Sequence, residues 1–345
     1  MGRSYFEVIS DRAPEWEHRC RAIATNLRTS RRVSVKKVNI RSVALNDALD
    51  EAGFRHVATS VGVRLEAQRI GASVYQAEAG LPIWPYHYHH GIEEWLYVIA
   101  GTPVLREPAG ERLLTPGDLV CFPSGHLGAH TLTGPGRLVI FAAGHDVEPY
   151  MSVYPDSDKV SGPGGILLRS GAVSYWYGEG TAGPSPPAEF EREPERSPSQ
   201  PAVNALDLRA EAADPHAPTG FRYRAERLGP LLGSDRLDAT VMDLDPGEGS
   251  EPYHYVYGRE QWLLVMAATP TLLHPQGEDQ LEAGDLVCLP EGPAGAHRLL
   301  NRGESVVRAL FLSTTGLPAN VCYPETGHWL IRNGPGRDEV VRTTA

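Results

Sequence analysis

"PYHYHHGIEEW", residues 85–95, and "PYHYVYGREQW", residues 252–262, are two versions of one phrase set 167 positions apart. The first holds His87, His89, His90, Glu93 and Glu94; in the second, Val256 stands at the position of His89 and Gln261 at that of Glu94. The same offset carries Gly53 to Gly220, Trp95 to Trp262, Gly117 to Gly284, Cys121 to Cys288 and His130 to His297 without a gap. Between Tyr86 and His130, 26 of 45 positions are identical to their partners. Chance does not produce such self-similarity, so the chain is two copies of one folding unit. Past His130 the copies drift, although "VYPDSD" after Ser152 still echoes "CYPETG" after Val321.

Within each copy, short apolar runs alternate with turn signals, as in "WLYVIAGTPVLREPAGERLLTPGDLVCFPSG". Turns recurring every eight to twelve residues or so predict an all-β sandwich or barrel, with a few helices confined to the edges. "VALNDALDEAG", residues 43–53, is the candidate for such a helix. Residues 183–201, "GPSPPAEFEREPERSPSQP", are rich in Pro, Ser and charge, lack apolar periodicity and read as a linker. The expected organisation is an N-terminal extension over 1–35, helical in part at "EWEHRCRAIATNL", a first domain over 36–180, a linker over 181–201 and a second domain over 202–345.

Composition narrows the function. The 345 residues are 41% hydrophobic and 22% charged, as expected of a folded globular protein. A net charge of -11 argues against nucleic-acid binding, despite ten Arg/Lys against four Asp/Glu in residues 1–41. No helix-turn-helix pattern or basic recognition segment is evident in the domains. The four cysteines, Cys20, Cys121, Cys288 and Cys322, form no Cys-x-x-Cys pair, which fits a reducing cytosol. "MGRSYFEVISDRAPEW" has no signal-peptide apolar run, and no stretch approaches the ~18 apolar residues that span a membrane. A cytoplasmic protein without membrane or nucleic-acid partners is expected.

The chemistry is concentrated in the first copy. His87-x-His89 on a strand places both imidazoles on one face. In "EWLYVIAG", Glu94, Leu96 and Val98 share one face and Trp95, Tyr97 and Ile99 the other. His130 follows the Gly-rich turn "PSGHLGAH". Three imidazoles and a carboxylate suit Fe(II), Mn, Co, Ni, Cu or Zn, and in an octahedral site leave two positions for substrate, water or dioxygen.

This arrangement resembles the cupin superfamily. Its first motif matches Gly80, His87, His89, Glu94 and Gly101, with one extra residue before His87; its second matches Gly117, Pro123, Gly125 and His130, with two extra residues before His130. The second motif's closing Asn is Gly134 in the first copy and Asn301 in the second. The resemblance covers both halves and implies a bicupin: two double-stranded jelly-roll barrels in tandem, with His87, His89, Glu94 and His130 as metal ligands. The second copy keeps His254 and His297 but has Val256 and Gln261, so one divalent metal per chain is expected, Fe(II) foremost.

Other residues take plainer readings. Glu93 competes with Glu94, but its partner Glu260 persists in the copy that lost its other acid, which points to a structural role on the opposite face. His90 and His126 read as exposed loop histidines, Trp95 and Trp262 as packing, Cys121 and Cys288 as buried apolar residues. Leu96 and Val98 are expected to wall the site. The second interior is expected to be vestigial, with a metal-free ligand pocket as the alternative.

The resemblance implies a metal-dependent enzyme acting on a small molecule, dioxygen chemistry being the commonest theme. Redox-neutral decarboxylation, isomerisation or cyclisation, and non-catalytic binding, are the alternatives; no general base is identifiable, and a storage role is disfavoured by the intact quartet. A monomer with internal pseudo-two-fold symmetry, or a homodimer, is expected.

Overall fold

The computed structural model describes residues 34–144, 150–171, 199–334 and 337–342. The N-terminal segment expected to be partly helical lies outside them up to residue 33, as does the linker up to residue 198 and Cys20. Each half of the chain builds one seven-stranded sheet faced by a four-stranded and a three-stranded sheet, and every strand ladder is antiparallel. In the first half the large sheet runs, in spatial order, through Asp118–Phe122, Glu93–Gly101, Gly136–Ala143, Ile70–Ala77, Phe54–Ser60 and Asp47–Glu51. In the second half Asp285–Leu289, Gln261–Ala267, Val307–Thr314, Leu237–Leu244, Arg224–Arg227 and Glu211–Ala212 repeat the order. These are two jelly rolls.

The seventh strand of each large sheet comes from the far side of the repeat boundary. Lys37–Asn39 pairs with Asp285–Leu289 of the second barrel, and Ala202–Asn204 with Asp118–Phe122 of the first. Sheet boundaries and chain boundaries thus differ by one strand at the start of each copy. The exchange covers an edge of each large sheet that would otherwise expose unpaired backbone groups. Asn39 Nδ2 donates to Asp285 at 3.2 Å and Asn204 Nδ2 to Asp118 at 2.9 Å, so both exchanged strands are fastened in the same way.

Strand parity separates two cores. Trp95 and Tyr97 point to the outer face of the first sheet, where they join Phe141, Cys121, Trp262, Leu264, Leu310 and Leu312 in an apolar layer between the barrels. Phe141 and Trp262 meet edge to face, with centroids 6.0 Å apart. Leu96 and Val98 point inward and fill the first barrel with Ile83, Phe122, Leu132 and Leu138. Cys121 is buried and Cys288 half-buried, and burial pushes both thiols up, away from reactivity.

Glu93 and Glu260 explain why that carboxylate persists in both copies. Glu93 accepts hydrogen bonds from Trp95 Nε1 and Ser234 Oγ and from the backbone N–H groups of Asp235, Arg236 and Leu237. Glu260 accepts from Trp262 Nε1 and the N–H groups of Gln68, Arg69 and Ile70. Each buried carboxylate holds the turn that enters a central strand of the other barrel, and the two sets of partners are related by the 167-residue offset. The chain therefore carries internal pseudo-two-fold symmetry.

One local expectation fails. Within residues 43–53, Asp47–Glu51 is an edge strand paired with Phe54–Ser60, not a helix. Ala52 and Gly53, both at positive φ (53° and 87°), form the hairpin turn that a helix would forbid. The α-helices among the described residues are the single turns Val61–Arg64 and Gly229–Leu232, at matching places beside the inter-barrel layer. No helix among the described residues is long and apolar enough to cross a membrane.

Candidate metal centre

His87 and His130 are brought together by a bridge between their backbones, each donating its N–H to the other's carbonyl. His89 lies on the short strand Tyr88–His90, and Glu94 is on the inward face of Glu93–Gly101. One donor atom from each of His87, His89 and Glu94 lies within 4.8 Å of the others, the one such cluster among the described residues. His130 Nε2 completes the group at 3.5 Å from Glu94 Oε2. All four residues singled out from the sequence thus converge. His90 and His126 are exposed and stay outside.

The tautomers follow from the neighbours. His87 Nδ1 lies 2.9 Å from Pro85 O and His130 Nδ1 lies 2.9 Å from Gly128 O. A carbonyl only accepts, so both Nδ1 atoms carry the proton and both Nε2 atoms present lone pairs. Gly128 is required where it stands, because a Cβ there would collide with Pro123 O. His89 Nδ1 meets Ser152 Oγ at 2.9 Å, and its Nε2 lies 3.1 Å from His87 Nε2 and 3.3 Å from Glu94 Oε2. His130 Nε2 is buried without a hydrogen-bond partner.

Electrostatics reinforce the convergence. Burial lowers His87, and burial together with the charge of His87 lowers His130 to about 3. Burial raises the Glu94 carboxyl, but the hydrogen bond and charge of His89, then His130 and His87, outweigh it and hold it at about 2. At neutral pH, acceptor atoms crowd one point around a carboxylate, with few protons to separate them. A divalent cation resolves that arrangement, and nitrogen and oxygen donors in this mix fit a transition metal. Aromatic rings fix the imidazole planes: Phe122 stacks on His130 at 3.8 Å, and Trp84 stands edge-on to His87 and His130 at 6.1 and 6.0 Å.

In the second barrel the scaffold persists without the donors. His254 Nδ1 is 2.9 Å from Pro252 O and His297 Nδ1 2.9 Å from Gly295 O, as in the first barrel. Val256 is buried among Ala319, Val321 and Tyr323, and Gln261 offers a neutral amide. With the repeat, two jelly rolls and this retained frame in place, the architecture is clear. The fold is a bicupin fold. No family model matches the sequence, and no curated protein matches it. Among solved structures, oxalate decarboxylase from Bacillus subtilis aligns over 82% of this chain and 78% of its own, at 14% identity and a TM-score of 0.48. A putative sugar phosphate isomerase from Acidithiobacillus ferrooxidans aligns over 40% of this chain and 87% of its own, at 23% identity and a TM-score of 0.37. A cupin-superfamily sugar phosphate isomerase from Silicibacter pomeroyi aligns over 41% and 91%, at 19% identity and 0.37.

Reading the sequence alone misses Ser152, which supports His89, and Tyr75, Trp84 and Tyr154 beside the site. Tyr154 stacks on His87 at 5.8 Å. Tyr75 packs against Trp84, and burial, then the charge of Glu94, pushes its phenol up to about 12, so it stays protonated. The sequence does hold a signal for Ser152: in the echo of "SVYPDSD" and "VCYPETG" it aligns with Val321, which lies across from Val256.

Proposed function

We propose that the chain is a metal-dependent enzyme acting on a small organic molecule in the first barrel, with His87, His89, Glu94 and His130 holding one divalent transition metal. The observation that carries this reading is the pair of imidazoles whose Nδ1 protons are committed to Pro85 O and Gly128 O, which turns both Nε2 lone pairs toward the Glu94 carboxylate. When bound, the metal supplies Lewis acidity and, for Fe(II), access to dioxygen chemistry. The chain's own residues supply the rest. Leu96 and Val98 wall the interior, Trp84 and Phe122 keep water from His130, and Ser152 orients His89. Fe(II)-dependent dioxygenation is the reading we put first.

Redox-neutral chemistry, such as decarboxylation or isomerisation, is favoured by one feature. The Tyr75 phenol, held neutral within the field of Glu94, can donate a proton at its Oη to a substrate carbanion or enolate. The test begins with protein purified without oxygen and its metal content per chain. One metal in the wild type and none in His89→Ala supports the site; two in the wild type overturns the asymmetry. Oxygen uptake by the iron-loaded protein on exposure to carboxylic or aromatic acids supports dioxygenation. Turnover without oxygen that falls in Tyr75→Phe supports the redox-neutral reading instead.

A further inference from the structure

The interior of the second barrel is lined differently from that of the first. It encloses a cavity of about 660 Å³, within the range of small-molecule sites. Cross-copy substitution makes the space: Trp84 corresponds to Glu251 and Tyr75 to Met242, so two of the aromatic residues beside the first site are replaced by an acid and a thioether. His254, His297, Arg259 and Arg332 also line the cavity.

Glu251 Oε1 accepts from Tyr223 Oη at 3.2 Å, but other lining groups lack a complementary partner. Both imidazoles have their Nδ1 protons committed to backbone carbonyls, so their Nε2 atoms can only accept. His254 Nε2 faces Glu251 Oε2, a second acceptor, at 3.8 Å with no donor shared between them. The arginines present the reverse problem. Arg227, Arg224 and Arg308 are paired with Asp238, Asp245 and Asp243. Among the described residues no carboxylate comes within ion-pairing distance of Arg259 or Arg332. Arg259 donates only to Gly316 O at 3.3 Å, its Nε is buried without a partner, and burial first, then the charge of Arg332, lowers its pKa despite the more distant Asp238. Asp338 sits at the exposed rim and pairs with neither.

We propose that the second barrel is a metal-free binding site for a small organic anion bearing hydroxyl groups. Its carboxylate or phosphate is bound by Arg259 and Arg332, and its hydroxyls donate to His254, His297 and Glu251. Carboxylate and phosphate both meet a guanidinium pair through acceptor oxygens, so the acid group itself is distinguished by the probe. The site is independent of the metal proposed for the first barrel.

Isothermal titration of the full-length protein tests it, with D-gluconate and D-glucose 6-phosphate as probes and glucose and propionate as controls lacking the acid or the hydroxyls. At least one hydroxylated anion is expected to bind at a site weakened about tenfold or more by Arg332→Gln and by Arg259→Gln. His89→Ala should leave that site within about twofold, a loss of 1.4 kcal/mol being needed for tenfold. Arg332 is exposed, so its variant folds. The proposal is overturned if neither anion binds at ~10 mM, far above the affinities such pockets reach. It is also overturned if glucose or propionate binds as tightly, or if the heat survives both arginine variants and disappears in His89→Ala.

Discussion

In the first barrel His89 faces Ser152 across a two-stranded pair; in the second, Val256 faces Val321 at the same place. Below these pairs the backbone frames are alike: a histidine bridge closes each site, and each histidine's Nδ1 binds the carbonyl two residues before it. What differs is His89 with the Ser152 hydroxyl that supports it, Glu94 against Gln261, and Trp84 and Tyr75 against Glu251 and Met242. The shared features hold the fold, and the features that differ decide what each interior can bind.

The largest expected effect is loss of the metal. His89→Ala removes one of four donors and should weaken metal retention by more than about a hundredfold, since loss of a supporting residue alone costs 10–100-fold. Metal content after dialysis against a chelator reads it. The triple variant Val256→His/Gln261→Glu/Val321→Ser tests the converse and should bring the second barrel to a second metal per chain. If it does not, the asymmetry is set elsewhere than in the donors and their support.

Next come the reciprocal clamps. Glu93→Ala and Glu260→Ala each leave several buried donors without an acceptor and should each cost about 3 kcal/mol or more. Because the two sets of partners correspond, the two losses should be alike. Urea unfolding measures both, and a large inequality would break the pseudo-symmetry argued from the contacts.

Acid should act through the second barrel too. Burial lowers His254 to about 4 and His297 to about 3, both below the ~6.5 of an unfolded histidine. The unfolded chain therefore takes up these protons first. Stability is highest above about pH 6.5 and falls as the pH drops toward 4, by about 3 kcal/mol for His254. His254→Asn, which keeps a donor for Pro252 O, should flatten the dependence of the urea midpoint between pH 7 and 4.5.

Much of this is legible in the amino-acid sequence. The period of two along Glu94–Val98 sorted Leu96 and Val98 from Trp95 and Tyr97, because a strand has only two faces, and the 167-residue offset exposed the repeat. The role of Glu93 is half legible: its persistence as Glu260, each two residues before a Trp, marks it as structural, but apart from Trp95 its partners lie 141–144 residues away in the other barrel and leave no local pattern. The strand exchange at Lys37–Asn39 and Ala202–Asn204 was invisible for the same reason. Asp47–Glu51 misled because its composition suits a helix, while Ala52 and Gly53 at positive φ turn it into a hairpin. The cavity arises from side chains lost at separate places in the sequence and needed three dimensions to appear.

The smallest effect probes the finest difference between the barrels. Ser152→Ala leaves all four donors in place and removes only the hydroxyl beside His89 Nδ1. With a metal on Nε2, Nδ1 must carry the proton, and Ser152 Oγ is the acceptor that favours that tautomer and holds the ring. Without the hydroxyl, His89 is free to place its proton on Nε2 and donate to Glu94, 3.3 Å away, in competition with the metal. The variant should fold with a midpoint close to wild type and bind metal about tenfold more weakly, with the deficit recovered in Ser152→Thr. A loss as large as that of His89→Ala would mean that His89 binds no metal without the Ser152 hydroxyl to hold its ring. No loss at all would mean that the cross-strand pair changed between the copies for packing alone.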